Sequence, residues 1–237
     1  MQTDMIQPEK VSEENPRPNC EAQGLFAAPL GSASFDGVSI INADCMDVMA
    51  KLADNAYDLA ICDPEYGINL KGPCGRFERY GTLQSVNSKP PTAEYFDELR
   101  RVSRWQIIWG GNYFPLPPCQ AYIIWDKQQP EGVTFADSEY AWTNLGGVAR
   151  TYRCRPQNAD DDGRIHPTQK PVKLYKWLLM KYAQAGWRIL DTHLGSGSSA
   201  IAALDMKYEM LGCEISAQHF ATAVERIGRY KRQGVLL

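Results

Sequence analysis

The run Tyr57-Asp58-Leu59-Ala60-Ile61-Cys62 is followed directly by Asp63-Pro64-Glu65-Tyr66. The first six residues are mostly apolar and short in extent, which predicts a buried strand. A carboxylate, a proline and an aromatic ring therefore lie where this strand ends. Ligands of open α/β sheets bind at the carboxyl ends of the strands, so these residues form a candidate functional site.

Predicted strands and helices alternate on both sides of this stretch, which is typical of an α/β domain. The other predicted strands cover residues 39–42, 106–109, 121–125, 188–190 and 210–213, and the predicted helices cover 44–52, 95–103, 171–183, 198–205 and 217–230. Residues 1–35 contain prolines and polar residues without a period and predict a loose leader. We expect one domain over residues 36–237, with a loop insertion at 69–91.

The composition favours a soluble protein of one domain. The chain has 237 residues, 44% of them hydrophobic, and a net charge of -3, which is not the basic balance typical of nucleic-acid proteins. Its seven cysteines include no Cys-x-x-Cys pair, so we expect reduced thiols and no metal site. No stretch approaches the roughly 20 apolar residues of a membrane span, which predicts a cytoplasmic protein without a membrane partner.

A second motif, Asp191-Thr192-His193-Leu194-Gly195-Ser196-Gly197-Ser198-Ser199, leads from a predicted strand into a predicted helix, and Glu214 ends the next strand. A glycine turn followed after about 20 residues by an acid is typical of nucleoside-binding Rossmann-like folds. A plain tight turn is the other interpretation. Only 47 residues, 191–237, include and follow this motif. They are too few for a sheet, so we expect a circular permutation in which the Leu190 strand lies beside the Leu59 strand and both motifs share one crevice.

The order of three motifs resembles that of a known family. Asp63-Pro64-Glu65-Tyr66 comes first, His166-Pro167-Thr168-Gln169-Lys170-Pro171 second and the glycine motif third. This order is similar to the permuted β class of DNA amino-methyltransferases, which carry an Asp-Pro-Pro-Tyr type motif. The resemblance implies a circularly permuted Rossmann-like methyltransferase fold of class α/β, with a mostly parallel sheet and helices on both faces. It also implies S-adenosylmethionine as cofactor and DNA as partner.

The resemblance implies roles for particular residues. Catalysis falls to Asp63, Pro64, Glu65 and Tyr66, with Asp63 and the Pro64 carbonyl accepting the N–H groups of a flipped-out base that stacks on Tyr66. Glu214 would bind the cofactor ribose, Asp44 would meet its adenine, Asp191 would lie near its amino group, and Thr168 and Lys170 would complete the methionine pocket. The full set of implied cofactor contacts is Asp44, Cys45, Asp63, Thr168, Lys170, Asp191, Leu194, Gly195, Ser196, Gly197, Ser198 and Glu214.

Two irregular stretches are locally basic and are the candidate DNA contacts. Residues 69–104 and 148–173 each carry a net charge of +3 within an acidic chain. The resemblance places a short target-recognition region at 143–165, whose brevity also suggests help from a second subunit, as in a homodimer. The candidate DNA-binding residues are Lys71, Arg76, Arg79, Asn112, Arg150, Arg153 and Arg155. The three arginines at 150–155 could instead be one solvated strand face.

The chain departs from the family pattern at two places. Glu65 stands where the second proline of the motif is common, and Thr192-His193 stands where Pro-Phe is common. We expect His193 and His219 to be structural. A helix N-cap at Asp63-Pro64 is the structural interpretation of the first motif.

Several functions stay open at this stage. An aspartate-led motif favours methylation of adenine N6, and cytosine N4 methylation is the nearest alternative. A dinucleotide oxidoreductase, or a DNA- or nucleoside-binding protein without activity, is the more distant possibility. Restriction, regulation and phage self-protection are the alternative biological roles for such a modification.

Overall fold

The computed structural model describes residues 31–68, 89–132, 136–156 and 168–234. The nine strands in these ranges are β1 (Gly31–Phe35), β2 (Val38–Asn42), β3 (Tyr57–Cys62), β4 (Ser103–Trp109), β5 (Tyr122–Asp126), β6 (Ser138–Thr143), β7 (Arg150–Arg153), β8 (Arg188–Asp191) and β9 (Glu209–Glu214). The α-helices are α1 (Cys45–Met49), α2 (Ala93–Val102), α3 (Val172–Tyr182), α4 (Ser198–Asp205) and α5 (Ala217–Gly234). None of these helices is long and apolar enough to cross a membrane.

All nine strands join one sheet in the order β1-β2-β9-β8-β3-β4-β6-β5-β7. The five neighbours from β2 to β4 are parallel, whereas β6 runs antiparallel to both β4 and β5. The last two strands of the chain therefore lie in the middle of the sheet, between β2 and β3. This arrangement confirms the predicted permutation, and the pairing of Leu59 with Ile189 confirms that the strands of the two motifs are neighbours.

Helices cover both faces of the sheet, as predicted. Successive residues of a strand point to opposite faces, and β3 shows the consequence. Leu59 and Ile61 pack in a core with residues of α3, α4 and α5. Ala60 and Cys62 pack in a second core with residues of α1 and α2. Burial on both sides explains why β3 reads as an almost continuous apolar run.

Residues 31–35 correct the predicted leader, because they form strand β1 rather than a loose segment. β1 pairs antiparallel with β2 through a two-residue turn at Asp36 and Gly37, whose φ angles are 34° and 89°. An Asp-Gly pair with two positive φ angles is a preferred hairpin turn. This pair is the feature of the sequence that could have indicated strand β1. The rest of the predicted leader, residues 1–30, lies outside the described residues.

Two further strands were not predicted. β6 lies between β4 and β5 and pairs with both. β7 pairs with β5 and falls inside the predicted recognition region at 143–165. β7 is an edge strand with the sequence Arg-Thr-Tyr-Arg, in which Arg150 and Tyr152 are half-buried while Thr151 and Arg153 are exposed. Its two-residue alternation is present, but arginine at a half-buried position hides it from a search for apolar residues.

Candidate functional site

A cleft of about 450 Å³ lies at the carboxyl ends of β2, β3, β8 and β9. These four strands are parallel, so the residues that follow them meet at one edge of the sheet. The loop after β3 and the glycine turn after β8 both line this cleft, which confirms the predicted shared crevice. The predicted residues in its walls are Asp44, Cys45, Asp63, Pro64, Glu65, Tyr66, Thr168, Lys170, Leu194, Gly195, Ser196, Ser198 and Glu214.

Two residues expected to contact the cofactor are not part of these walls. Asp191 is 1% exposed and lies behind the turn. Gly197 faces α5, since a Cβ added there would lie 3.2 Å from Ile227. Both residues shape the turn instead of lining the cleft.

The candidate DNA contacts lie elsewhere. Asn112 is exposed in a short 3-10 turn after β4. Arg153 is exposed and pairs with Asp126 at 3.0 Å, Arg155 is exposed and Arg150 is half-buried. None of these four lines the cleft. Lys71, Arg76 and Arg79, together with His166, lie outside the described residues.

Asp63 is held by a phenol and an ammonium group. The Tyr66 hydroxyl donates to Asp63 Oδ1 at 2.7 Å, and Lys170 Nζ lies 2.5 Å from Asp63 Oδ2. Lys170 was expected in a methionine pocket, but its side chain is only 4% exposed and ends on the carboxylate of the first motif. The loop after β3 is therefore tied to the segment that begins α3.

The pKa values of Asp63 and Lys170 depend on their burial and on a second carboxylate, that of Glu139. Burial raises the pKa of Asp63, Lys170 opposes the rise and Glu139 adds to it. Burial opposes the charge of Lys170, but Asp63 and Glu139 outweigh burial and raise the lysine pKa. Lys170 is therefore a permanent cation beside Asp63 at neutral pH.

Glu139 on β6 and Lys127 after β5 complete the cluster, and sequence reasoning missed both. Lys170 Nζ lies 2.9 Å from Glu139 Oε2, and Lys127 Nζ lies 2.6 Å from Glu139 Oε1. Burial disfavours the ionised form of Glu139, but the two lysines outweigh burial and lower its pKa to about 2. No motif marks these residues because β5 and β6 reach the site only through sheet pairing.

Aromatic contacts fix the ring of Tyr66. It stacks on Tyr113 with ring centroids 5.1 Å apart and planes at 16°, and it packs against Phe114 in a T-shaped arrangement. Gly110 permits this packing, since it has φ of 70° and an added Cβ would lie 2.2 Å from Tyr66 Cε1. Tyr66 is thus an aromatic residue held in a fixed position beside the cleft.

The opposite wall is the glycine turn, which is organised by two acids. Asp191 accepts hydrogen bonds from the His193 amide at 2.9 Å and the Ser199 hydroxyl at 2.5 Å. Glu214 accepts from the Gly195 and Ser216 amides, each at 2.8 Å. Burial raises the pKa of Asp191 to about 7.

The backbone at Gly195 is open towards the cleft. Its φ is 52°, and the nearest atom to an added Cβ, the His193 carbonyl oxygen, is 4.0 Å away. A ligand could therefore approach the backbone closely at this position. Asp44 lies across the cleft as the N-cap of α1, where its side chain accepts from the Met46 amide at 2.8 Å.

The two departures from the family pattern meet in the cleft. His193 Nε2 lies 3.9 Å from Glu65 Oε2, and His193 Nδ1 lies 2.9 Å from the Thr192 hydroxyl oxygen. Thr192 in turn contacts the hydroxyl of the buried Tyr95 at 2.6 Å. Burial lowers the pKa of His193, although the nearby carboxylates, Glu65 first among them, act to raise it. His193 was expected to be structural, yet its ring is part of the cleft wall.

The other lining residues are Ala43, Ile68, Gln169, Tyr175, Thr192, Cys213, Ile215, Ser216 and His219. All of these except Tyr175 and His219 lie within two positions of a predicted residue, which is the signal that could have found them. Cys45 in the wall is a protonated thiol, since burial raises its pKa to about 12.

A model of the DNA methylase family matches residues 105–225, just over half of the chain. YubD of Escherichia coli strain K12, whose name describes it as a methylase, is 23% identical over 211 residues, covering 81% of this chain and 91% of YubD.

Two solved structures have similar folds. The complex of M1.HpyAVI with SAM has a TM-score of 0.54 at 18% identity and covers 80% of this chain and 99% of that one. The cytosine-N4-specific PvuII DNA methyltransferase has a TM-score of 0.56 at 11% identity and covers 83% and 92% of the two chains. Both resemblances concern the arrangement of the sheet and its helices.

Proposed function

The chain belongs to the N6/N4 DNA methylase family, and from this premise we propose that it methylates the exocyclic N6 amine of adenine in DNA with S-adenosylmethionine as the methyl donor. One observation carries the proposal. Asp63 and Tyr66 stand on one wall of a cleft whose other wall is the glycine turn with Glu214. A carboxylate able to hold an amine and a turn able to hold a nucleoside cofactor therefore face one another.

The cleft fits a cationic nucleoside. Its ionisable lining includes the carboxylates of Asp44, Asp63, Glu65 and Glu214 against one buried cation, Lys170. S-adenosylmethionine supplies a methyl group activated by a positively charged sulfur. Glu214 would accept the ribose hydroxyls through lone pairs that its two amide partners leave available. The open backbone at Gly195 would let the cofactor approach the turn.

The reaction asks the protein mainly for positioning. An exocyclic amine is a weak nucleophile, because its lone pair is delocalised into the base. Asp63 and the Pro64 carbonyl would accept its two N–H groups and so direct the lone pair towards the methyl group. Lys170 and the Tyr66 hydroxyl hold Asp63 in one orientation, and such alignment can lower a barrier by several kcal/mol.

The target base would be flipped out of the helix to enter the cleft. Flipping costs about a few kcal/mol in lost stacking and pairing. Stacking on an aromatic ring returns roughly 1–3 kcal/mol, and Tyr66 is the ring that lies next to Asp63. The exposed arginines of the β7 region are our candidates for phosphate contacts.

Adenine is the proposed base because an aspartate leads the motif. Cytosine N4 is the alternative, since its amine presents the same two N–H groups to Asp63. The dinucleotide oxidoreductase is set aside because the matching family is one of methylases.

The test incubates the full chain with methyl-labelled cofactor and duplex or single-stranded oligonucleotides, digests the DNA to nucleosides and separates them. We expect label in N6-methyladenine. Label in N4-methylcytosine would replace the adenine assignment and keep the reaction type. Binding of cofactor and DNA by calorimetry without any transfer would support an inactive binding protein.

Asp63→Asn provides the matched test of the site. It keeps the shape of the side chain but turns one acceptor oxygen into a donor, so we expect transfer at saturating cofactor to fall at least about 100-fold. Asp36→Asn, at an exposed position in the turn between β1 and β2, makes the same chemical change away from the cleft and should leave transfer unchanged. Full activity in Asp63→Asn would refute the assigned role.

A further inference from the structure

A buried lysine is shared by two carboxylates, and only one of them faces the cleft. Lys170 Nζ contacts Asp63 Oδ2 at 2.5 Å and Glu139 Oε2 at 2.9 Å. The Tyr66 hydroxyl lies between the same two acids, at 2.7 Å from Asp63 and 3.3 Å from Glu139. Asp63 lines the cleft, whereas Glu139 is not among its lining residues. Glu139 therefore shares two contacts with the candidate catalytic acid, Lys170 and Tyr66, and its charge also acts on Asp63 through space.

Lys127 extends this cluster one step further from the cleft. Its ammonium group lies 2.6 Å from Glu139 Oε1 and 5.3 Å from the ring centre of Trp125. The side chains of Lys127 and Glu139 are 14% and 22% exposed. The sign of the charge thus alternates from one contact to the next, from Asp63 through Lys170 and Glu139 to Lys127. The surroundings of these groups screen the charges weakly.

We propose that Glu139 and Lys127 are positioning residues that set the charge and hydrogen-bonding strength of Asp63 from behind the cleft wall. The negative charge of Glu139 partly offsets the positive charge of Lys170 that acts on Asp63. The positive charge of Lys127 in turn partly offsets the negative charge of Glu139. The catalytic meaning of this inference rests on the proposed function, since Asp63 is there the acceptor of the amine N–H.

The alternation gives the two residues opposite effects. Removing the negative charge of Glu139 leaves Asp63 facing a more positive surrounding, so its carboxylate becomes harder to protonate. Removing the positive charge of Lys127 leaves the Glu139 charge less compensated, so the Asp63 carboxylate becomes easier to protonate. A residue that only stabilised the fold would not produce shifts of opposite sign.

Several titratable groups around this cluster contribute to its pH response. Lys170, Glu139 and Tyr66 act on Asp63, and Lys127 acts on Glu139. Asp63 is also within electrostatic reach of Tyr175, Asp191 and His193. The proposed substitutions leave the last three unchanged, so their contributions cancel between variants.

The experiment follows the Asp63 carboxyl carbon by NMR in protein labelled at its aspartates, without cofactor or DNA, and assigns the signal by its loss in Asp63→Asn. We expect Glu139→Gln to lower the Asp63 pKa and Lys127→Gln to raise it, each by about one unit. Glu209→Gln and Lys173→Gln make the same charge changes at exposed positions and should leave it within the error of the titration.

Enzyme kinetics provide the second readout. The acid limb of kcat/KM for methyl transfer should move with the Asp63 titration in each variant, while the cofactor dissociation constant stays near that of the parent chain. Shifts of the same sign in both variants, or no shift, would overturn the inference. If Glu139→Gln fails to fold, the sign of the Lys127→Gln shift decides alone. Absence of methyl transfer by the unaltered chain would instead refute the proposed function and leave the titration result standing.

Discussion

Lys170→Met removes the cation that joins the catalytic loop to the start of α3, and it should destabilise the fold strongly. Methionine matches the length of the lysine stem, so the change leaves little cavity. It leaves two carboxylates, 18% and 22% exposed, without the cation between them. Removing one partner of a buried ion pair costs about 3–5 kcal/mol. Both acids keep some exposure to solvent, so we expect the loss in unfolding free energy to lie near the lower end of this range, at about 3 kcal/mol.

The size of the expected effect suits a thermal unfolding assay. For chains of this length, about 1 kcal/mol corresponds to a Tm shift of roughly 2–4 °C, so Lys170→Met should melt about 6–12 °C below the parent chain at pH 7.5. Lys173→Met makes the same substitution three residues along at an exposed position and should change Tm by less than about 2 °C.

The loss in Lys170→Met should also shrink as the pH falls. Without the ammonium group, the folded-state pKa of Asp63 rises further above its unfolded value, because burial already raises it and Lys170 was the opposing charge. The folded variant then binds more protons than the unfolded chain between these two pKa values, and stability increases as pH decreases. A Tm within about 2 °C of the parent at pH 7.5, or a gap that widens at pH 5.5, would refute the reasoning.

Three further expectations concern Gly110, Asp191 and the contact between Glu65 and His193. Gly110→Ala places a Cβ 2.2 Å from the Tyr66 ring at φ of 70°, so it should displace that ring and reduce methyl transfer more than cofactor binding; equal activity, measured with labelled cofactor, would contradict this. Burial raises the Asp191 pKa to about 7, so the parent chain loses stability as the pH rises from the unfolded pKa of this group to about 7, and the full loss is present at pH 8. The stability of Asp191→Asn relative to the parent chain should therefore be greater at pH 8 than at pH 5, and urea unfolding at both pH values checks the sign. Glu65→Pro combined with His193→Phe brings two of the three departing positions to the common family pattern and leaves Thr192 unchanged. Because each change removes one partner of the same contact, the double variant should lose less activity than the two single losses multiplied together; a double-mutant cycle on kcat/KM measures it.

The local pattern was sufficient for the elements that are buried on both faces. β3 was predicted at its observed bounds, and the helix beginning at Ser198 was too, because continuous apolar runs and a glycine turn are local signals. β1 and β7 are the edge strands of the sheet and β6 lies inside it between β4 and β5, but all three mix polar with apolar residues. Their pairing partners rather than their own composition therefore make them strands. Base preference and DNA contacts stay predictions.

The sequence by itself determined the α/β class, the permuted order of motifs and the motif residues at the two walls of the cleft, because each motif is continuous in the chain and ends a strand. Only the tertiary structure decided how the charges are arranged. Lys170 pairs with Asp63, and Glu139 and Lys127 stand behind them, because sheet pairing brings together segments that lie far apart in the chain. The same pairing brings Glu65 to His193. Such contacts depend on distances across the sheet edge, which no local pattern of residues encodes.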